Sequence, residues 1–232
     1  MTQRLRFADA GEAADLAAFL ARLIHYDRAA AVRLQAGGGV LAVFGRPPSF
    51  EVLAVRTARL AEETGPLDVT VSAGRLTDEL DAGRPVPGNG VEIGVPESVT
   101  GPPWAGVLPP RGGWQRVEGF PGPEAVRGAV AAAVAEFRAR DEALPEQRRT
   151  RAERDRIGRE IWSRTLGDTG LPLRAVHAAQ SLGFLRGPRP GNGAAEPPVL
   201  FTARGWLRLR TPYGSIAVST GGGLRDLTVT PA

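Results

Sequence analysis

The sequence predicts an α+β protein, in which an antiparallel sheet covered by helices is followed by a helical segment and a C-terminal β-hairpin. Two observations predict this class. Short runs of alternating apolar and polar residues, separated by glycine and proline, fill residues 30–72 and return near the C-terminus, which is typical of antiparallel strands. Between these two strand regions, the stretch from Pro123 to Arg186 has helical periodicity. A shorter helix is predicted over residues 10–27, ahead of the first region.

The chain opens with a predicted strand and helix. Residues 3–8 alternate between polar and apolar side chains, which suits a strand. Asp9 is a candidate helix N-cap, and Glu12 three residues later completes a capping-box pattern. The helix that follows has one continuous apolar face, formed by Leu16, Phe19, Leu20, Leu23 and Ile24.

Several hairpin-linked strands and a short helix follow. Three consecutive glycines, Gly37 to Gly39, supply the positive φ values of a tight hairpin turn. Short connections of this kind favour antiparallel pairing, with the first helix laid across one face of the sheet. The predicted strands are Val32–Gln35, Val40–Phe44, 50–60 and Leu67–Val71, and the short helix covers Leu76–Leu80.

The segment from Arg84 to Trp114 contains 7 Gly and 7 Pro among its 31 residues. So much proline argues against a central strand, although 91–93 could pair briefly at a sheet edge. We expect an ordered, irregular loop, because its apolar residues can anchor it to a core. These anchors are Trp104, Val107, Leu108 and Trp114, and a last strand is expected over Trp114–Phe120.

The C-terminal half is helical and then ends in strands. The first helix has an apolar stripe formed by Val126, Val130, Ala133, Val134 and Phe137. A second helix contains the arginine-rich run 148–156, and a third covers Leu173–Leu185. A hairpin is predicted from Leu207–Arg210 and Ser215–Val218, with its turn at Pro212–Gly214. A mobile loop is expected over Gly187–Pro198 and a short strand over Leu227–Thr230.

Charge divides the chain into two parts. All 29 basic residues are arginine, which indicates the genome composition of a high-GC bacterium. Residues 1–122 have a net charge of −2 and residues 123–232 a net charge of +6, so only the second part attracts a polyanion. We expect an antiparallel-sheet domain over 1–122 and a helical part with its hairpin over 123–232.

Composition excludes several classes of function. Without cysteine the chain has no disulfide, thiolate nucleophile or zinc–thiolate site. Neither His25 nor His177 has a second ligand at metal spacing, and the acidic group Asp78, Glu79 and Asp81 suits a solvated helix end. We therefore assign no catalytic residue, cofactor or metal ligand. No apolar run is long enough to span a membrane, and the N-terminus lacks a signal-peptide pattern, so we expect a cytoplasmic protein without a membrane partner.

The arginine-rich run is typical of a solvated helix. Opposite charges stand four residues apart at five places, and each such pair adds about 0.2–0.5 kcal/mol. Apolar residues appear only from Ile157 onward. We expect this helix either to project into solvent or to pack on a second copy of the chain through Ile157, Ile161 and Trp162.

A second candidate surface lies further along the chain. The end of the arginine-rich helix, a turn at Gly167–Gly170, the third helix and the basic hairpin resemble part of a winged helix-turn-helix. The stretch from Gly167 to Pro172 is too short for the middle helix of that motif. The resemblance implies a polar helix face in a major groove and hairpin arginines on phosphates. The residues so placed are Arg174, His177, Ser181, Arg204, Arg208 and Arg210.

The sequence thus leaves three functions open. The first is a non-catalytic assembly protein that forms a homo-oligomer, for which a continuous apolar patch beside an exposed tryptophan would be evidence. The second is a DNA-binding protein with a winged-helix-like C-terminal part. The third is an enzyme or small-molecule binder that uses the 84–114 segment as a pocket wall, for which paired carboxylates in a cavity would be evidence.

Overall fold

The computed structural model describes residues 3–187 and 196–221. They form two compact units: residues 3–109 with Tyr213–Ser215, and the described residues of 110–212 with 216–221. Both units contain helices and antiparallel strand pairs, which confirms the predicted α+β class. The predicted division at residues 122 and 123 stays a prediction. Residues 188–195 of the predicted mobile loop Gly187–Pro198 lie outside the described residues, as does the whole predicted strand Leu227–Thr230.

The first unit contains seven strands and two α-helices. The elements are β1 (Arg4–Phe7), α1 (Ala10–Tyr26), β2 (Ala31–Gly37), β3 (Val40–Gly45), β4 (Leu53–Arg59), β5 (Leu67–Ser72), α2 (Ala73–Asp81), β6 (Arg84–Val86) and β7 (Gly90–Gly94). Four of the strands are hydrogen-bonded in the order β5-β2-β3-β4, and the other three form a sheet of order β1-β7-β6.

Local sequence signals account for the first helix and hairpin. Asp9 caps α1 as predicted, because its carboxylate accepts a hydrogen bond of 3.0 Å from the Glu12 N–H. The β2–β3 turn contains Gly38 and Gly39 at φ 58° and 72°, the left-handed conformations that a two-residue hairpin requires. The apolar side of α1 is buried in the core through Ala13, Leu16, Phe19, Leu20 and Leu23.

The 84–114 segment is more regular than predicted. Its first part forms β6 and β7, and β7 is the central strand of the three-stranded sheet. Proline is tolerated because Pro85 lies in β6, an edge strand, and β7 itself contains no proline. Val107 does not anchor the segment, since it is 59% exposed.

The second unit contains three α-helices and four strands. The elements are β8 (Gln115–Arg116), α3 (Pro123–Glu142), α4 (Arg151–Ser163), α5 (Leu173–Ser181), β9 (Val199–Ala203), β10 (Trp206–Thr211) and β11 (Gly214–Ser219), the last with 214–215 in the first unit. The strands are hydrogen-bonded in the order β8-β9-β10-β11. The predicted hairpin is confirmed by β10 and β11, whereas the strand expected over Trp114–Phe120 shortens to two residues.

The three helices of the second unit pack on one another. Pro123 begins α3, where its missing N–H removes no hydrogen bond, and Thr150 caps α4 by accepting from the Glu153 N–H at 3.3 Å. α3 contacts both α4 and α5. A 3-10 turn over Gly167–Thr169 replaces the middle helix of the predicted motif. The buried residues of these helices are Val126, Val130, Ala133, Ile157, Ile161, Leu173, Ala175, Val176, Ala178 and Ala179.

Candidate functional site

The helix predicted to enter a DNA groove has little exposed surface. α5 buries five of its nine residues, while Arg174, His177 and Ser181 are half-buried. His177 stacks on Trp162 of α4, with ring centroids 4.3 Å apart and an interplanar angle of 21°. Burial lowers the pKa of His177, which favours the neutral imidazole. This helix is therefore a packing element of the second unit.

The residues predicted for self-association lie mostly inside the chain. Ile157 and Ile161 are 2% and 0% exposed, and Trp162 is half-buried. Because the two isoleucines pack within the second unit, a partner on α4 would meet the charged side of that helix instead.

The charged side of α3 and α4 is a network of ion pairs. Glu160 accepts hydrogen bonds from Arg140 at 2.8 Å and from Arg164 at 3.2 Å. These two guanidinium groups, Arg140 first, lower the pKa of Glu160 to about 2. Three of the five predicted pairs four residues apart are present, at 3.2–3.9 Å. The helical arginines are thus largely neutralised by carboxylates of the same unit.

The arginines of the hairpin have a different environment. β10 alternates strictly: Leu207 and Leu209 are buried on one side, and Trp206, Arg208 and Arg210 lie on the other. Residues opposite each other in an antiparallel pair share a face, so Phe201 of β9, which pairs with Arg208, belongs to this second side. We call this surface the arginine–aromatic face; it consists of Trp114, Arg116, Phe201, Trp206, Arg208 and Arg210.

Rings and guanidinium groups alternate on the arginine–aromatic face. The Arg208 guanidinium carbon lies 5.7 Å from the Trp114 ring centroid, and that of Arg210 lies 5.6 Å from the Phe201 centroid. The Trp114 indole N–H donates to the Pro110 carbonyl at 3.0 Å, which fixes the ring. Each such cation–π contact is worth about 0.5–1 kcal/mol at an exposed site. Two guanidinium groups are therefore held over aromatic rings.

The electrostatics of this face favour an anion. Burial, and second the neighbouring charge of Arg210, lower the pKa of Arg208, so the site penalises its positive charge. Glu196 approaches Arg210 at 3.5 Å and Glu118 approaches Arg116 at 3.7 Å, but both carboxylates are mostly exposed. The described residues 110–118 and 196–221 contain five arginines and two glutamates. The local charge is positive.

The structure brings together three of the six residues predicted to contact DNA. Arg208 and Arg210 share the face, and Arg204 occupies the β9–β10 turn at its end. Arg204 and Gly205 have φ values of 42° and 77°, which define a tight two-residue turn that leaves Arg204 exposed. Arg174, His177 and Ser181 lie on α5 and not on this face. The aromatic residues Trp114, Phe201 and Trp206 were not predicted to belong to a binding surface.

A groove of about 670 Å³ in the first unit uses the proline- and glycine-rich segment as a wall. Val99, Pro102 and Trp104 line it, together with Arg46 and Asp27. The Asp27 carboxylate already accepts a hydrogen bond from the Ala29 N–H at 2.9 Å. Among the described lining residues Asp27 is the only carboxylate, so the paired carboxylates that would favour an enzyme do not occur in this groove.

In residues 3–187 and 196–221, no cluster of three or more His, Asp or Glu side chains is arranged to hold a metal ion. Over the same described ranges, no helix has the length and apolar character needed to cross a membrane.

Two family models match the chain. Residues 1–106 match a domain of unknown function (DUF8010), and residues 109–223 match a second domain of unknown function (DUF8185). The junction between the matches lies beside the junction between the two compact units, at residues 109 and 110. No curated protein matches the chain.

Solved structures of sliding clamps are similar to the chain. A DNA polymerase sliding clamp from Pseudomonas aeruginosa has 13% sequence identity and a TM-score of 0.48, over 96% of this chain and 65% of the clamp. The DNA polymerase III subunit beta from the same organism, bound to griselimycin, has 14% identity and a TM-score of 0.49, over 100% of this chain and 69% of that one. The beta subunit from the DNA polymerase of Streptococcus pyogenes has 10% identity and a TM-score of 0.47, over 94% and 64%. This chain thus spans 64–69% of the length of these three proteins.

Proposed function

We propose that this chain is a non-catalytic protein that binds nucleic acid on the arginine–aromatic face of its second unit. The observation that supports this most strongly is the placement of Arg208 over Trp114 and of Arg210 over Phe201. Basic side chains interleaved with aromatic rings are typical of surfaces that bind single-stranded nucleic acid, since guanidinium groups contact phosphates and rings contact bases.

Four arginines of the face and its adjoining turn are placed to contact phosphates. Arg116 and Arg208 lie on either side of Phe201, on adjacent strands, while Arg210 and Arg204 extend the row along β10 and into the turn. A planar guanidinium group binds a phosphate with two parallel hydrogen bonds and stays charged at any physiological pH. An incoming polyanion would also relieve the repulsion between Arg208 and Arg210.

The chemistry of the face is that of binding. Arginine stays protonated near neutral pH, and indole and phenyl rings exchange no proton there. These groups can hold and orient a ligand but are poorly suited to act as general acids or bases. The helical arginines are weaker candidates for phosphate contacts, because Arg140, Arg154 and Arg164 are already bonded to carboxylates at 2.6–2.8 Å.

The test is fluorescence anisotropy with a labelled oligonucleotide of about 16 nucleotides, the upper size of one binding site. The double variant Arg208→Ala/Arg210→Ala should weaken binding at least about tenfold, or about 1.4 kcal/mol. The matched control is Arg151→Ala/Arg159→Ala, which removes the same charge from the exposed side of α4. Equal weakening by both variants, or no binding by the native chain at about 50 mM salt, would contradict the proposal.

Self-association is a second candidate, supported by an observation in the first unit. Val99 and Val107 are 43% and 59% exposed, and the half-buried Trp104 lies between them in the sequence. Exposed apolar side chains near a tryptophan are typical of protein contact surfaces. If two copies meet there, Val107→Asp should convert a dimer into a monomer in light scattering without changing the circular dichroism spectrum. A native chain that is monomeric at high micromolar concentration would exclude this candidate.

A further inference from the structure

The third ring of the arginine–aromatic face, Trp206, has no stacking partner among the residues that the structure describes. Trp206 is half-buried, and among the described residues neither a cation nor another ring stacks on it. A half-buried tryptophan beside Arg208 thus has a ring that no described cation or ring stacks on.

The shape of the sheet disfavours duplex grooves. Neighbouring strands are about 4.8 Å apart, so the four strands β8 to β11 span about 14 Å between their outer axes. The major groove of B-form DNA is only about 12 Å wide and admits a helix or a two-stranded ribbon. The β9–β10 hairpin is flanked on both sides by other strands, and α5 buries five of its nine residues within the second unit, so neither is suited to enter that groove.

We infer that the arginine–aromatic face binds single-stranded nucleic acid in preference to the duplex, with one base stacked on Trp206 and others on the guanidinium planes above Trp114 and Phe201. This inference rests on the proposed function and specifies its ligand. Every base has a flat surface that becomes available only when it is unpaired, and bases stack on aromatic rings and on arginine planes alike. Arginine suits this position because its guanidinium group is planar and weakly hydrated.

The experiment compares three labelled or competing probes on the full chain: a single-stranded oligonucleotide, a duplex of the same length, and inorganic polyphosphate. We expect the single strand to bind at least about tenfold more tightly than the duplex, since stacking is worth about that factor or more per base. Trp206→Ala should remove about tenfold of the single-strand affinity and leave polyphosphate binding unchanged. Trp206→Phe, which keeps a ring, should recover most of the loss.

The control ring is Trp104, which lies in the first unit and off the face, so Trp104→Ala should not change single-strand affinity. Circular dichroism and a urea unfolding curve show that each variant is folded. Equal affinity for duplex and single strand, or a Trp206→Ala variant that binds like the native chain, would overturn the inference while the proposed function stood. Failure to bind any of the three probes would overturn both.

Discussion

The guanidinium group of Arg208 lies over the indole ring of Trp114, 5.7 Å from its centroid, although the two residues are 94 positions apart in the chain. The contact forms because β8 and β10 both pair with β9, which brings residues from distant parts of the sequence to one face. It holds a partly desolvated positive charge over the ring and beside Arg210. This relationship is the basis of the proposed binding surface.

Arg208→Lys should weaken nucleic-acid binding although it keeps the charge. Lysine has a compact ammonium group that cannot lie as a plane on Trp114 or bind a phosphate with two parallel hydrogen bonds. The affinity should fall while the dependence on salt stays the same, because the number of neutralised phosphates does not change. Anisotropy titrations at several salt concentrations separate the two quantities. A lysine variant with native affinity would show that only the charge at this position matters.

Acid should destabilise the fold partly through His177. Its ordinary pKa is 6.5, and burial lowers the pKa in the folded chain. As the pH falls, His177 therefore becomes protonated in the unfolded chain before it does so in the folded chain. The stability that depends on neutral His177 is complete above about pH 6.5 and is lost as the pH falls toward the folded pKa.

His177→Phe should therefore reduce the loss of stability between pH 7 and pH 5, since phenylalanine keeps a ring on Trp162 but does not titrate. Urea midpoints of the two proteins at both pH values give the comparison. An unchanged pH dependence in the variant would mean that the imidazole is not desolvated by the stack.

Ile161→Ala should destabilise the chain by about 2–5 kcal/mol, the usual cost of removing a fully buried aliphatic side chain. Because Ile161 packs inside the second unit, the loss should appear in urea unfolding and not in the association state. Sedimentation of the native chain and the variant at one concentration supplies the second measurement. A folded variant with native stability but altered association would contradict burial of Ile161 and would support its predicted role in self-association.

Local sequence patterns predict many of the helices, strands and turns, but not the order of the strands or which helix faces are covered by other elements. The α1 face, the β2–β3 turn and the C-terminal hairpin follow from local patterns, and each is present. β6 was not predicted, and 91–93 was expected only at a sheet edge, whereas β7 is a central strand. Pro85 lies in the edge strand β6, and which strand forms the edge depends on strand order, which local patterns do not specify. The exposure of α5 was also misjudged: its polar side is visible in the sequence, whereas the Trp162 ring that covers His177 comes from another helix.

The candidate site was predictable in the same partial way. Trp206, Arg208 and Arg210 alternate along one strand, so their shared face follows from a period of two. Trp114 and Phe201 reach that face only through the order β8-β9-β10, which no local pattern specifies. The arginines were therefore predicted without the rings that define their chemistry.

The most direct test of nucleic-acid binding by the arginine–aromatic face is the salt dependence of affinity for a labelled single strand. If Arg116, Arg204, Arg208 and Arg210 each neutralise one phosphate, the slope of log K against log salt should be about −2.8, at about −0.7 per contact. Arg208→Ala/Arg210→Ala should reduce its magnitude by about 1.4, and Arg151→Ala/Arg159→Ala should leave it unchanged. A slope that is the same in the native chain and in the Arg208→Ala/Arg210→Ala variant would contradict nucleic-acid binding by this face.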